Sequence, residues 1–162
     1  MTELHPDLGS LTCLLGTWRG EGRGGYPAID AFEYGEWMHF EHVGDPFLMS
    51  AQRSWLMADD APLHFERGFW RPGSTALDVE LTLAHPLGLT EVAEGELRVG
   101  GEVTTIELAL RTVARTSTGM AVSALRRRYE IEGDAMRYEI DMATDQTPMT
   151  RHLTAALRRV PD

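Results

Sequence analysis

The chain has no lysine: every one of its fifteen Lys-plus-Arg positions is an arginine. That excludes a Schiff-base lysine, a phosphate-loop lysine and a Ser-Lys dyad. Cysteine is nearly absent. Cys13 stands alone, so no internal disulfide and no cysteine metal cluster can form, and its apolar surroundings read as those of a small buried hydrophobe. No run approaches the ~18 apolar residues of a helical membrane span. The opening MTELHPDLGSL lacks a basic region followed by an apolar one, so no secretory signal is expected and the expected location is cytoplasmic. Positive charge is in deficit, 15 against 25 acidic residues for a net −10, which leaves no basic footprint for a nucleic acid. Serines are few and no Gly-x-Ser-x-Gly occurs, so a nucleophile-elbow hydrolase has no support.

What remains is a series of short segments with explicit punctuation. Turn signals fall at Gly44-Asp45-Pro46, Asp59-Asp60-Ala61-Pro62, Arg71-Pro72-Gly73, His85-Pro86-Leu87-Gly88, Gly100-Gly101 and Gly133-Asp134. Between them, apolar and polar residues alternate. Ile106, Leu108 and Leu110 share one face against Glu107 and Arg111; Leu77, Val79, Leu81 and Leu83 oppose Asp78, Glu80 and Thr82. Half-buried antiparallel strands read this way. Strands are expected near 16–25, 31–43, 47–58, 62–72, 75–84, 88–98, 102–113, 121–132, 135–144 and 151–160. Ten consecutive strands with hairpin-length connections predict an all-β protein. A single domain over 1–162 is expected, an antiparallel up-and-down barrel in preference to a sandwich, able to hold a small ligand in its mouth. Leu4, Leu8, Leu11 and Leu15 have helix-like spacing, which predicts a short helical lid over 4–15.

The segment GTWRGEGRGGYPAI, residues 16–29, carries Gly16, Gly20, Gly22, Gly24 and Gly25 around Trp18. Glycines at alternate positions strip one face of a strand, either for a corner bend or for the close approach of a backbone or a flat ligand. Of the six histidines, His39 and His42 are three apart and fall on opposite faces of a strand. His64 lies within a strand, and His85 sits in a turn and reads as a solvated loop residue. His152 is out of phase with Leu153, Ala155 and Leu157, so it faces away from them or precedes the regular strand. Most carboxylates, Glu36, Glu66 and Glu91 among them, read as a solvated acidic face, and Arg126, Arg127 and Arg128 as a solvated strand end.

GTWRGEGRGGYPAI resembles the hallmark of the nitrobindin family, Gly-x-Trp-x-Gly-x-Gly followed by Tyr-Pro-Thr-Ile; Gly16, Trp18, Gly20 and Gly22 fill it. FEYGEWMHFEHVGDPFLMSAQRSW, APLHFERGFWRP, LAHPLGLTEVAEG and RHLTAALRR are similar to further blocks of the family in the same order, so the resemblance covers nearly the whole chain. It implies a ten-stranded barrel of fatty-acid-binding-protein shape holding ferric heme b near the mouth. The proximal iron ligand would be the final-strand histidine before a leucine, His152. His64 corresponds to the pocket histidine, and Leu63 and Met142 to apolar pocket residues. Family members bind nitric oxide and isomerise peroxynitrite to nitrate, which implies small-molecule partners for a monomer or homodimer. Two positions depart from the pattern. Ala28 replaces a threonine that contacts heme, and Met120 and Ala121 stand where a lysine approaches it. Each loss costs on the order of 1 kcal/mol at an exposed rim. These losses motivate an alternative, a lipid or fatty-acid carrier barrel that has lost heme.

Overall fold

The alternation finds its ten strands. A computed structural model describes residues 2–161. Its strands are β1 (Gly16–Tyr26), β2 (Ile29–Glu41), β3 (Leu48–Leu56), β4 (Pro62–Pro72), β5 (Asp78–His85), β6 (Leu89–Gly100), β7 (Val103–Arg115), β8 (Ala124–Glu132), β9 (Ala135–Thr144) and β10 (Thr147–Val160). Each pairs antiparallel with its sequence neighbours, and β1 pairs with β10 to close the barrel. Closure leaves no open edge among the described strands. Three starts differ from expectation. β5 begins at Asp78 because residues 73–78 form a turn: the Gly73 N–H donates to the Asp78 carbonyl (2.9 Å) and the Thr75 N–H to Asp78 Oδ2 (2.8 Å). β8 begins at Ala124. β10 begins at Thr147, joined to β9 across the two-residue turn Asp145-Gln146.

The N-terminal segment is not a lid over the mouth. Pro6–Leu14 is 3₁₀ helix, kinked at Gly9 (φ 47°). Leu8, Leu11 and Leu14 recur every third residue, the 3₁₀ period, and all three are buried, whereas Leu4 is exposed. The Trp18 indole donates to the Leu14 carbonyl (2.7 Å). Arg159 stacks 4.1 Å over the Trp18 ring and donates to the Cys13 (3.0 Å) and Leu15 carbonyls. Trp18 and Arg159 face each other where β1 begins and β10 ends. The segment therefore plugs the end of the barrel opposite the β1–β2 turn. Below mid-height Trp18, Trp70, Leu81, Leu97, Ile106 and Met136 make a dry core. Each such side chain contributes about 1.5–3 kcal/mol by leaving water. Burial also pushes the Cys13 thiol up to about 11, as befits a small hydrophobe.

The glycine face of β1 makes room for neighbouring side chains and backbone. A Cβ on Gly22 would lie 2.3 Å from the Tyr34 ring, and one on Gly24 2.3 Å from the Phe32 ring. One on Gly20 would lie 2.1 Å from the Ala156 carbonyl. The two aromatic rings of β2 lie across β1, and only glycine leaves them room. No described helix is long and apolar enough to cross a membrane.

Candidate functional site

At the end away from the plug, the barrel opens on a cavity of about 640 Å³, within the range of small-molecule sites. Two irregular strands shape its rim. Strict alternation along β10 would turn His152 outward if Leu153 faces in. The β10–β9 register shifts between Arg151 and Leu153, and this bulge lets both line the cavity. Beside it, the β1–β2 register shifts between Gly24 and Tyr26. The carbonyl of Gly25, at that second bulge, lies 3.0 Å from His152 Nδ1. A carbonyl can only accept, so Nδ1 carries the proton. In the neutral ring Nε2 is then a bare lone pair, the atom a metal takes. Tyr26 packs edge-on against the imidazole (5.5 Å, 77°) and is itself held by its hydroxyl, which donates to the Met142 carbonyl (3.0 Å).

The barrel brings His152, His64, Leu63, Met142 and Met120 to this one cavity. It does not bring Ala28, which lies exposed in the two-residue turn between β1 and β2, while its neighbours Tyr26 and Ile29 line the wall. In β7 the extra residue at Arg111 turns both Leu110 and Val113 inward, a further bulge at the same rim.

The cavity floor is polar and charged, against the expectation of solvated acids and a solvated arginine cluster. Arg127 is 4% exposed. Its guanidinium binds Glu66 through both ends (3.2 and 3.1 Å), and Nη2 lies 2.8 Å from Glu91 Oε1. Burial alone would lift both carboxyls, but Arg127 together with the neighbouring imidazoles, His64 and His85 at Glu66 and His85 at Glu91, outweighs it and holds both below the ordinary carboxylate range. Arg127 thus faces the cavity with its charge already matched, and it does not replace the missing rim lysine. His85 is not a solvated turn residue either: it ends β5 with its side chain 7% exposed and its Nδ1 3.2 Å from His64 Nε2. Strands β4, β5, β6 and β8 contribute one or two residues each, and no sequence window contains the cluster. Only closure of the sheet assembles it.

A second buried group adjoins it. Glu36 accepts from Gln52 Nε2 (2.6 Å) and from the Tyr138 hydroxyl (2.7 Å), which in turn lies 2.7 Å from the Tyr34 hydroxyl. Complete burial dominates those two hydrogen bonds and pushes the Glu36 carboxyl up to about 7. The sign follows: a carboxyl whose proton is held more tightly folded than unfolded makes stability fall as pH rises, from the unfolded value of 4.5 to about 7. Glu36→Gln removes that slope. Urea denaturation of both proteins at pH 5 and pH 8 is expected to show wild type losing a few kcal/mol relative to the variant between the two. Parallel pH dependence would refute the assignment.

Residues 7–159 match the THAP4-like, heme-binding β-barrel domain. The chain is 45% identical over 160 residues to a Mycobacterium marinum protein named peroxynitrite isomerase 2, covering 97% of both. It is 42% identical over 156 residues to the peroxynitrite isomerase of Nocardia farcinica, covering 96% of this chain and 92% of that one. The crystal structure of Rv2717c from M. tuberculosis superposes with a TM-score of 0.94 at 42% identity, over 98% of this chain and all of the other.

Proposed function

Because the chain belongs to the THAP4-like heme-binding β-barrel family, we propose that it holds heme b at the barrel mouth through His152 and isomerises peroxynitrite to nitrate. The observation that carries this reading is the His152 ring: Nδ1 is spoken for by Gly25, and Nε2 is bare on a cavity-lining residue. The donor set fits the group, since one imidazole with a fixed tautomer is a common axial ligand of heme iron. Bound there, heme would supply the iron chemistry that isomerises peroxynitrite to nitrate, with no net gain or loss of electrons or protons.

The chain's own residues do the rest. The Gly25 carbonyl and the edge of Tyr26 fix the plane of His152. Leu63, Met120, Met142 and Leu153 line an apolar wall that excludes water from the bound substrate. The paired Arg127 offers no free cation to retain the nitrate product. The same group would take nitric oxide.

The test is to load the full chain with one equivalent of hemin and mix it with peroxynitrite in a stopped-flow spectrometer, measuring nitrate and nitrite at the end. Faster decay than with heme-free protein, and a larger nitrate share, are expected. A shift of the heme absorption band on adding nitric oxide is the companion result. Stoichiometric heme with unchanged decay and product ratio would overturn the isomerase reading. Copurified fatty acid with no saturable heme binding would favour the carrier barrel instead.

A further inference from the structure

Three side chains of the cavity floor form a face ready for a metal ion. His64 Nε2 and His85 Nδ1 are 3.2 Å apart, and Glu66 Oε2 is 3.5 Å from each. A triangle with those sides has its centre about 2.0 Å from every corner, and zinc bonds to imidazole and carboxylate run from about 2.0 to 2.2 Å. An ion seated at or just above that centre therefore meets all three atoms at bonding distance without movement of the backbone. We propose that His64, Glu66 and His85 bind a divalent transition cation of the zinc class, with a fourth position open to the cavity.

Charge and surroundings agree. Glu66 and Glu91 face one guanidinium, Arg127, so the buried cluster carries one negative charge in excess when both imidazoles are neutral. The proximity of Arg127 opposes a cation, but Glu91 lies 2.8 Å from its Nη2 and offsets it, and Glu66 Oε2 keeps a second lone pair. His85 Nε2 is buried with no hydrogen-bond partner, and Glu91 Oε2 stands 3.7 Å from it. A metal on Nδ1 obliges Nε2 to carry the ring proton, and Glu91 is then its acceptor, the carboxylate–histidine–metal arrangement that orients such ligands. Two imidazoles and one carboxylate suit zinc and its neighbours rather than calcium or magnesium, which call for oxygen shells. The three residues line the open cavity, which gives the ion its path in.

The inference rests on neither His152 nor heme, and its test keeps them apart. The full chain, stripped with chelator, is titrated with Zn²⁺ alone by calorimetry, heme-free and after hemin loading, as wild type, His85→Gln, His64→Gln and His152→Ala. One Zn²⁺ per heme-free chain is expected in wild type and in His152→Ala, with affinity at least ~10-fold weaker in the other two. Hemin-loaded protein that still takes Zn²⁺ places both groups in one barrel; loss of uptake on loading shows that the macrocycle fills the site or covers the way to it, and either result leaves the ion site of the heme-free chain upheld. No binding by heme-free wild type, or unchanged affinity in both His85→Gln and His64→Gln, overturns the proposal. So does binding lost only in His152→Ala. Should those variants fail to fold, Co²⁺ added to wild type decides: the intense visible bands of a four-coordinate site are expected, and the weak spectrum of a six-coordinate ion overturns it.

Discussion

His152→Ala is expected to abolish saturable heme binding. The substitution removes the cavity-lining imidazole whose Nδ1 is held by the Gly25 carbonyl with Nε2 left bare, and it leaves nothing for that carbonyl to orient. Loss of a residue that merely supports a metal ligand typically costs 10- to 100-fold in affinity, so loss of the ligand itself should cost at least 100-fold. The departures at Ala28 and Met120 sharpen the expectation. With no threonine hydroxyl and no lysine charge at the rim, a bound heme would depend chiefly on His152 and on apolar contact. The measurement is a hemin titration followed by absorption, with one equivalent per chain expected for wild type and weak, non-saturating binding for the variant. His64→Ala is the control and should keep one equivalent. Equal affinity in wild type and His152→Ala would remove His152 from the iron.

Arg127→Met should be the most damaging single change to the fold. It strips the shared cation from Glu66 and Glu91, two carboxylates buried on the same floor. Removing one partner of a buried ion pair costs about 3–5 kcal/mol, which at this chain length lowers Tm by roughly 10 °C. The deficit should depend on pH. In wild type both carboxyls lie below their ordinary range, so their contribution is present above the unfolded value of 4.5 and is lost as pH falls. In the variant the unpaired acids titrate above that value, so its stability falls as pH rises. The gap between the proteins should therefore widen from pH 5 to pH 8. Adding Glu66→Gln and Glu91→Gln to Arg127→Met should recover most of the loss, because replacing a whole buried triad with neutral groups is nearly neutral. A triple variant no better than the single one would show that Arg127 acts through packing alone.

The strands and their order were legible because turn residues and alternation are local signals. Asp59-Asp60-Ala61-Pro62 and Gly100-Gly101 each mark a hairpin within a few residues of where it falls. The site was only half legible. Alternation leaves His152 either facing away from Leu153 or ahead of the regular strand; one bulged residue within β10 turns both inward, and bulges leave little trace in composition. The resemblance to a known family supplied His152, and the structure supplied the reason it can face inward. The floor was illegible for a different cause. Glu66, His85, Glu91 and Arg127 each look like an ordinary polar residue in an acidic chain, and their meeting is a property of closure rather than of any segment.

The 3₁₀ plug at the far end has a consequence for traffic. With Leu8, Leu11 and Leu14 packed beneath Trp18 and held by Arg159, the barrel is a cup. Whatever reaches the floor passes the same rim by which it must leave. A flat macrocycle seated at that rim would act as a stopper, and an ion beneath it could neither enter nor escape until the stopper lifted. The barrel would then keep a record of the order in which it was filled, ion before macrocycle or macrocycle alone. Two preparations of one sequence could differ for no reason written in the sequence.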